Sequence, residues 1–323
     1  MTNHPGLGII THSPSPIVQQ LEAVFAKLDD EALLEKLIGP IRRGPKGHPV
    51  AVLWHCFVAK YVMGLSSTDA LIRELNNNPL VAKVCGIDNP QAIPHKSTFS
   101  RFISRLSEYH VAARVKDVSR SLVRRCYAEL PGFGERVAMD STTLKGWVNG
   151  GKPRHSDKEA RWSVKKNSQG KTEFTLGYKL HLIVDCEYEL PIAASVTPGN
   201  AHDGKQASHV LSEARFATRG MFHPEYVMGD KGYSSQELRD LIHRQYRAMP
   251  VIDIPSNQKK ALAKYAEQLI LPEYAALRRQ RGAIERVNSR LKGQRSLNQI
   301  TTRGLRKVTV HCYLALIAMQ AAA

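Results

Sequence analysis

The spacing of apolar residues changes character near residue 130, and no other feature constrains the fold as strongly. Before that point the period is helical. Leu21, Val24, Phe25 and Leu28 keep the i, i+3, i+4, i+7 spacing of one buried stripe. Val50 to Met63 is apolar nearly all round, which predicts the central helix of a small bundle. Ser66-Ser67-Thr68-Asp69 reads as a capped helix start, with the helix running to about Leu75 and broken by Asn76-Asn-Asn-Pro79. A short helix to Cys85 follows, then a turn-rich stretch from Gly86 to Pro94. Ser97 is the expected cap of a basic amphipathic helix in which Phe99, Phe102, Ile103 and Leu106 alternate with polar residues. Short helix, turn and basic helix together are similar to a helix-turn-helix, with Lys96, Arg101 and Arg105 as candidate DNA contacts. Any small helical bundle contains such a pair, so the alternative stays open.

Ala128-Glu-Leu-Pro-Gly-Phe-Gly134 reads as a linker, which divides the chain into a helical N-terminal domain (1–130) and a second domain (135–323). Arg136 to Asp140 is expected to be a short strand that ends at the Asp. Thr172 to Asp185 and Leu190 to Thr197 form a hairpin around a turn at Glu187 to Glu189. Gly204 to Ala217 is helical, Glu225 to Met228 a strand, Ser235 to Tyr246 a helix and Arg247 to Ile252 a strand. One long helix is expected from Pro272 to Lys292 and a final apolar helix from Val308 onward. Strands first, then alternating helix and strand, predict a mixed α/β domain with a mixed sheet covered by helices. Gly146 to Gly170 is a long polar insertion, expected to be a loop that is mobile or ordered by ligand.

Charge narrows the partners. Forty-six Lys and Arg stand against 29 Asp and Glu, a formal net charge of +17. Such an excess favours nucleic acid or an anionic membrane surface. No signal peptide or lipidation motif is visible, and the longest apolar run, Val308 to Ala323, is shorter than a membrane span needs. A cytoplasmic, nucleoid-associated protein is therefore expected, with no membrane partner. Cys56, Cys85, Cys126, Cys186 and Cys312 are odd in number and scattered, which predicts buried thiols in a reducing compartment.

Three carboxylates carry the chemistry. Asp140 follows Val137-Ala-Met, and Asp230 follows Tyr226-Val-Met-Gly and precedes Lys-Gly-Tyr233. Two strands each ending in an Asp can converge on one sheet edge. Either alone reads equally well as a turn residue, Asp230 as an Asx-turn. In Arg278 to Lys292 a helical wheel puts Arg281, Glu285, Asn288 and Lys292 in one polar stripe, with Leu277, Ile284, Val287 and Leu291 in the apolar one. Arg281 and Glu285 can equally be a surface ion pair. From Arg278 to Lys307, however, ten Lys or Arg accompany a single acid, Glu285. That surface suits phosphates, with Arg278, Arg281, Arg286, Arg290 and Lys292 as candidate DNA contacts. Asp140, Asp230 and Glu285 are then what a site needs to hold two Mg²⁺ ions on a phosphodiester.

With their flanks, these residues resemble the DDE transposases of bacterial insertion sequences, particularly insertion-sequence families four and five. The signature Tyr-x-x-Arg-x-x-x-Glu-x-x-x-x-x-x-Lys is matched by Arg281, Glu285 and Lys292, whereas Arg278 holds the Tyr position. Thr197-Pro-Gly-Asn-Ala-His-Asp203 is similar to a stretch of the same family. The resemblance covers about residues 45 to 320. Only 54 residues separate Asp230 from Glu285, too few for the β-rich insertion domain of some relatives.

The resemblance implies an RNase H-like catalytic domain in which Asp140, Asp230 and Glu285 are the metal-binding catalytic triad. The cofactor would be two Mg²⁺ ions, with Mn²⁺ able to substitute. The partners implied are double-stranded DNA (terminal inverted repeats and target) and a second copy of the chain in a synaptic complex. Asp203 and Asp185 compete with Asp230 for the second position; Asp203 is expected to order its own loop instead. Other readings remain: a catalytically silent DNA-binding protein, another RNase H-like nuclease, or a nucleoside triphosphatase using the P-loop-like Gly199 to Gln206.

Overall fold

The computed structural model describes residues 15–38, 47–148, 156–166, 170–298 and 300–323. Among these, seven α-helices precede the first strand: α1 (Pro16–Ala26), α2 (Glu31–Ile38), α3 (Val50–Val62), α4 (Thr68–Asn77), α5 (Pro79–Val84), α6 (Lys96–Leu106) and α7 (Tyr109–Glu129). The all-round apolar α3 is the central helix expected. Trp54, Cys56 and Val58 are fully buried, and the Trp54 indole donates to Asp30 at 2.7 Å. Ser67 caps α4, its Oγ accepting from Ala70 N at 3.1 Å, and Asn78 caps α5. The start of α6 differs from expectation: His95, not Ser97, is the cap, its Nδ1 accepting from Ser97 N at 3.2 Å. His95 is the last residue with extended backbone, so the capping position falls there.

The strands are β1 (Arg136–Lys145), β2 (Arg161–Lys166), β3 (Thr172–Asp185), β4 (Pro191–Pro198), β5 (Tyr226–Gly229) and β6 (Met249–Ile252). β3 is antiparallel to β1, β2 and β4, while β1, β5 and β6 run parallel. Spatially the order is β4–β3–β1–β5–β6, with β2 adding to the other half of β3. This is an RNase H-like mixed sheet. The helices α8 (Asp203–Ala217) and α9 (Gln236–Tyr246) supply the crossovers that its parallel half requires.

Two strand expectations need correction. β1 does not stop at Asp140 but continues through Ser141-Thr142-Thr143 to Lys145, paired with β3 as far as Gly177. The β-branched threonines fit a pleated surface, and a partner strand distant in sequence supplies the ladder that extends it. The polar insertion is also more than a loop, because Arg161–Lys166 forms β2 against Thr172–Gly177. Residues 149–155 and 167–169 of that insertion lie outside the described residues.

The chain continues through α10 (Lys259–Lys264), α11 (Ala266–Leu269), α12 (Pro272–Gln280), α13 (Gly282–Gln294) and α14 (Leu305–Ala321). The single helix expected from Pro272 to Lys292 is therefore two helices jointed at Arg281. There the hydrogen bonds tighten to i+3 spacing, Arg281 N to Arg278 O and Ile284 N to Arg281 O, and Gly282 opens α13.

α14 joins the helical region to the sheet. It packs on α3 and α7 as well as on β4. Polar side chains thread the same contact: Tyr61 Oη bonds His311 Nδ1, and Ser119 Oγ donates to Gln320 Oε1 at 2.9 Å. Gln320 Nε2 in turn donates to Pro191 O at 2.9 Å. One continuous hydrophobic core runs from Val18 to Ala321. The five cysteines are buried and unbonded. No helix among the described residues is long and apolar enough to cross a membrane.

Candidate active site

The parallel pairing of β1 with β5 sets Ala138 opposite Met228. Asp140 and Asp230 each lie two residues further along adjacent strands, so the sheet delivers both to one edge. Asp230 Oδ1 accepts from Gly232 N at 2.8 Å and caps the short 3-10 turn Lys231–Tyr233, so the Asx-turn reading of this residue is realised too. Gly229, just before it, is a site of close approach: a Cβ there would meet Met139 Cε at 3.1 Å.

Asp140 is half-buried, and its carboxyl is pushed up to about 6. Burial is the largest cause and the negative charge of Asp230 adds to it. The backbone N–H of Ser141, then Lys165 and Arg281, oppose the shift. Two carboxylates crowding one edge, one of them raised in pKa, are a donor set of the kind that suits a divalent cation.

Glu285 lies in the first turn of α13. Ile284, Val287 and Leu291 are fully buried and dock that helix on β1 and β3. The Glu285 side chain is 64% exposed and pairs with Arg281 at 3.4 Å, the surface ion pair its spacing allowed. Among the described residues, no three His, Cys, Asp or Glu side chains stand together at metal-binding distance. The two aspartates are brought together, then, while Glu285 faces the Arg281 guanidinium that also acts on Asp140. Lys292, half-buried on α13, has its ammonium lowered by burial and by Lys165, with Asp140 opposing.

Four of the other predicted cations have partners already. Arg278 pairs with Asp253 at 2.5 Å. Arg286 and Arg290 both bind Glu189 of the β3–β4 turn, Arg290 at 2.9 Å to the carboxylate. On α6, Lys96 pairs with Asp69 at 2.6 Å, Arg101 is exposed and Arg105 half-buried.

The rival aspartates do different work. Asp203 accepts from Lys179 Nζ at 3.0 Å at the start of α8. Asp185 is fully buried at the far end of β1 and accepts from the N–H groups of Gly134, Glu187 and Tyr188 at 2.8, 3.0 and 2.6 Å. The P-loop-like stretch is also occupied, since a Cβ on Gly199 would lie 2.4 Å from Arg161 O. Its glycine serves strand packing.

Two neighbours of the site were not singled out in the sequence. Tyr233 is buried, its hydroxyl raised well above the usual range by burial and by Asp140, Asp203 and Asp230. The Gly-Tyr after Asp230 was its only signal. Lys165 had none, being one cation among many in a polar insertion.

A family model described as a transposase DDE domain matches residues 131–320, and a second, a transposase domain (DUF772), matches residues 13–105. No curated protein matches the chain. Among solved structures, the chain is similar to the piggyBac transposase synaptic complex with hairpin DNA, at TM-score 0.45 and 10% identity, covering 95% of this chain and 75% of that one. It is also similar to the Mos1 transposase paired-end complex with left transposon end, at TM-score 0.23 and 12% identity, covering 80% and 82%. The DDE-domain match spans more than half of the sequence and includes Asp140, Asp230 and Glu285: the chain belongs to the DDE transposases, enzymes that cut and join DNA in transposition.

Proposed function

We propose that Asp140, Asp230 and Glu285 are the catalytic carboxylates of this transposase and that they hold two Mg²⁺ ions, with Mn²⁺ able to replace them. DDE transposases work with divalent cations. The observation that carries this assignment is the parallel register that brings Asp140 and Asp230 to one sheet edge, where burial and the charge of Asp230 raise the Asp140 carboxyl. Glu285 joins them by turning away from Arg281, an exposed ion pair that costs only about 0.3–0.5 kcal/mol to break. When bound, the ions would lower the pKa of the attacking water or 3′-OH and stabilise the departing oxygen.

The chain's own residues position the DNA. Asp140 and Asp230 are held by the sheet, so their separation is fixed before substrate arrives. Arg281 and Lys292 present positive charge beside them and bind the phosphates flanking the scissile bond. Burial of Ile284, Val287 and Leu291 keeps those cations in register with the sheet. Residues 1–130 form a DNA-binding domain in which α6 offers Arg101 and Arg105 to the duplex; Lys96, Arg278, Arg286 and Arg290 would have to leave their acidic partners to join them. The substrates are the terminal inverted repeats of the element and a target duplex. Joining two ends in one event calls for a homodimer or larger synaptic complex.

Purified protein incubated with DNA carrying its own element ends, with and without Mg²⁺, tests the reading. Asp140→Ala should abolish cleavage and strand transfer while leaving DNA binding nearly unchanged. Cleavage that survives in Asp140→Ala, or needs no divalent cation, would overturn the assignment.

A further inference from the structure

A cleft opens just past Asp230, at the carboxyl ends of two parallel strands. β5 and β6 end side by side, with Gly229 opposite Ile252, and the chain beyond each strand lines the cleft. Ser234 and Gln236 come from the segment after β5, Asn257, Lys259 and Lys260 from the segment after β6. Gln258 ties the two segments together, its Oε1 accepting from Ser234 Oγ at 3.0 Å and its Nε2 donating to Ser234 O at 3.3 Å. The cleft holds about 510 Å³, and crevices at this end of an open α/β sheet are where ligands bind. Ser234 is four residues past Asp230, so the cleft starts within roughly 15 Å of it along the chain.

The lining is cationic. Arg239 of α9 and Lys259 and Lys260 of α10 border the cleft, and no Asp or Glu does. Two exposed lysines alone would be an ordinary solvated surface. Arg239 is a different case, because it is only 4% exposed. Its guanidinium donates to Ile252 O at 2.8 Å and lies 4.8 Å from the Tyr265 ring centroid. No acid among the described residues pairs with it; Asp253, next in the chain after Ile252, is held by Arg278. A guanidinium withdrawn from bulk water without an anion is costly, and phosphate oxygens entering the cleft would supply one. A neighbouring hollow of about 650 Å³ also touches Arg239, but Glu225 and Asp240 line it and would repel phosphate.

We infer that this cleft is a phosphate subsite, in which Arg239, Lys259 and Lys260 hold a backbone phosphate of the DNA strand that runs from Asp140 and Asp230 past the ends of β5 and β6. At about 3.4 Å of rise per nucleotide, that phosphate lies within about four nucleotides of the scissile bond. Such a contact fixes the strand's path and register without reading its sequence. The position relative to the scissile bond rests on the active site proposed above.

The experiment compares wild type, the surface double variant Lys259→Ala/Lys260→Ala, and Arg239→Gln in binding to end-bearing DNA without divalent cation. The double variant should reduce the slope of log affinity against log salt by about 1 to 2. Single phosphates of the DNA are then replaced, one position at a time, by uncharged methylphosphonate. Wild type should lose about fivefold in affinity at one or two positions within four nucleotides of the cut. The double variant should be insensitive at those same positions, and so should Arg239→Gln. Should Arg239→Gln melt at a lower temperature, the lysine variant decides. An unchanged salt slope in the double variant would overturn the inference, as would a methylphosphonate profile identical to that of wild type, or lost sensitivity only at positions remote from the cut. Survival of cleavage in Asp140→Ala instead defeats the active-site assignment, and the response of the lysine variant still reads whether the cleft holds a phosphate.

Discussion

Two carboxylates lie along β1, Asp185 of β3 opposite its start and Asp140 at its middle, and they are built in opposite ways. Near Val137, Asp185 is surrounded by donors: three backbone N–H groups converge on it and tie the entry to β1 to the β3–β4 turn. Burial still raises its pKa, with those hydrogen bonds working against the shift. Further along, Asp140 has one backbone donor, a second carboxylate beside it and cations at longer range. A carboxylate satisfied by backbone holds the fold, whereas one left facing another negative charge is placed for a ligand. The difference is testable, because stability and activity should separate between the two positions.

The largest effect expected is on chemistry. Asp140→Asn should reduce DNA cleavage by at least roughly a thousandfold and leave the fold intact, as measured by single-turnover kinetics and circular dichroism. Asp185→Ala should do the reverse. It leaves three N–H donors, that of Gly134 buried, without their acceptor and should cost about 2–4 kcal/mol in urea unfolding, with any activity loss following the unfolded fraction. If Asp185→Ala leaves stability untouched, the contrast between the two positions is lost.

Gly177→Ala should destabilise the protein by about 1–3 kcal/mol, since the new methyl meets backbone atoms that cannot move independently.

A fourth prediction concerns pH. The folded state keeps the Asp140 proton up to about pH 6, while an unfolded Asp releases it near 3.8. The protonated form therefore favours folding, and stability should fall as pH rises from about 4 to 6. The Asp140 contribution amounts to about 1–3 kcal/mol. Asp140→Asn should flatten that part of the profile, and a divalent cation should restore wild-type stability at pH 7 without affecting the variant. The smallest effect is at Arg281. Arg281→Ala breaks an exposed ion pair and should change stability by less than about 1 kcal/mol, yet it should weaken binding to DNA ends and lower the salt slope.

Much of the candidate site is proposed from local signals. An Asp after an apolar strand, and a Glu with Arg and Lys at helical spacing, are patterns within a dozen residues. Helix joints and strand lengths were harder. Ser141-Thr142-Thr143 reads as a turn until β3 pairs with it. Pro272 to Lys292 reads as one helix because nothing in its apolar stripe reveals the tightened turn at Arg281. Arg286 and Arg290 resemble free DNA contacts until Glu189, about a hundred residues earlier, is seen to hold them.

The amino-acid sequence alone determined the switch from helical to mixed architecture, the positive charge and the three acids with their family. Those follow from period, composition and short-range spacing, which need no partner. Tertiary structure decided which acids meet: Asp140 with Asp230 through the parallel register, Asp185 apart from both, and Glu285 turned to Arg281. Charges far apart in sequence interact only once the backbone has fixed their distance.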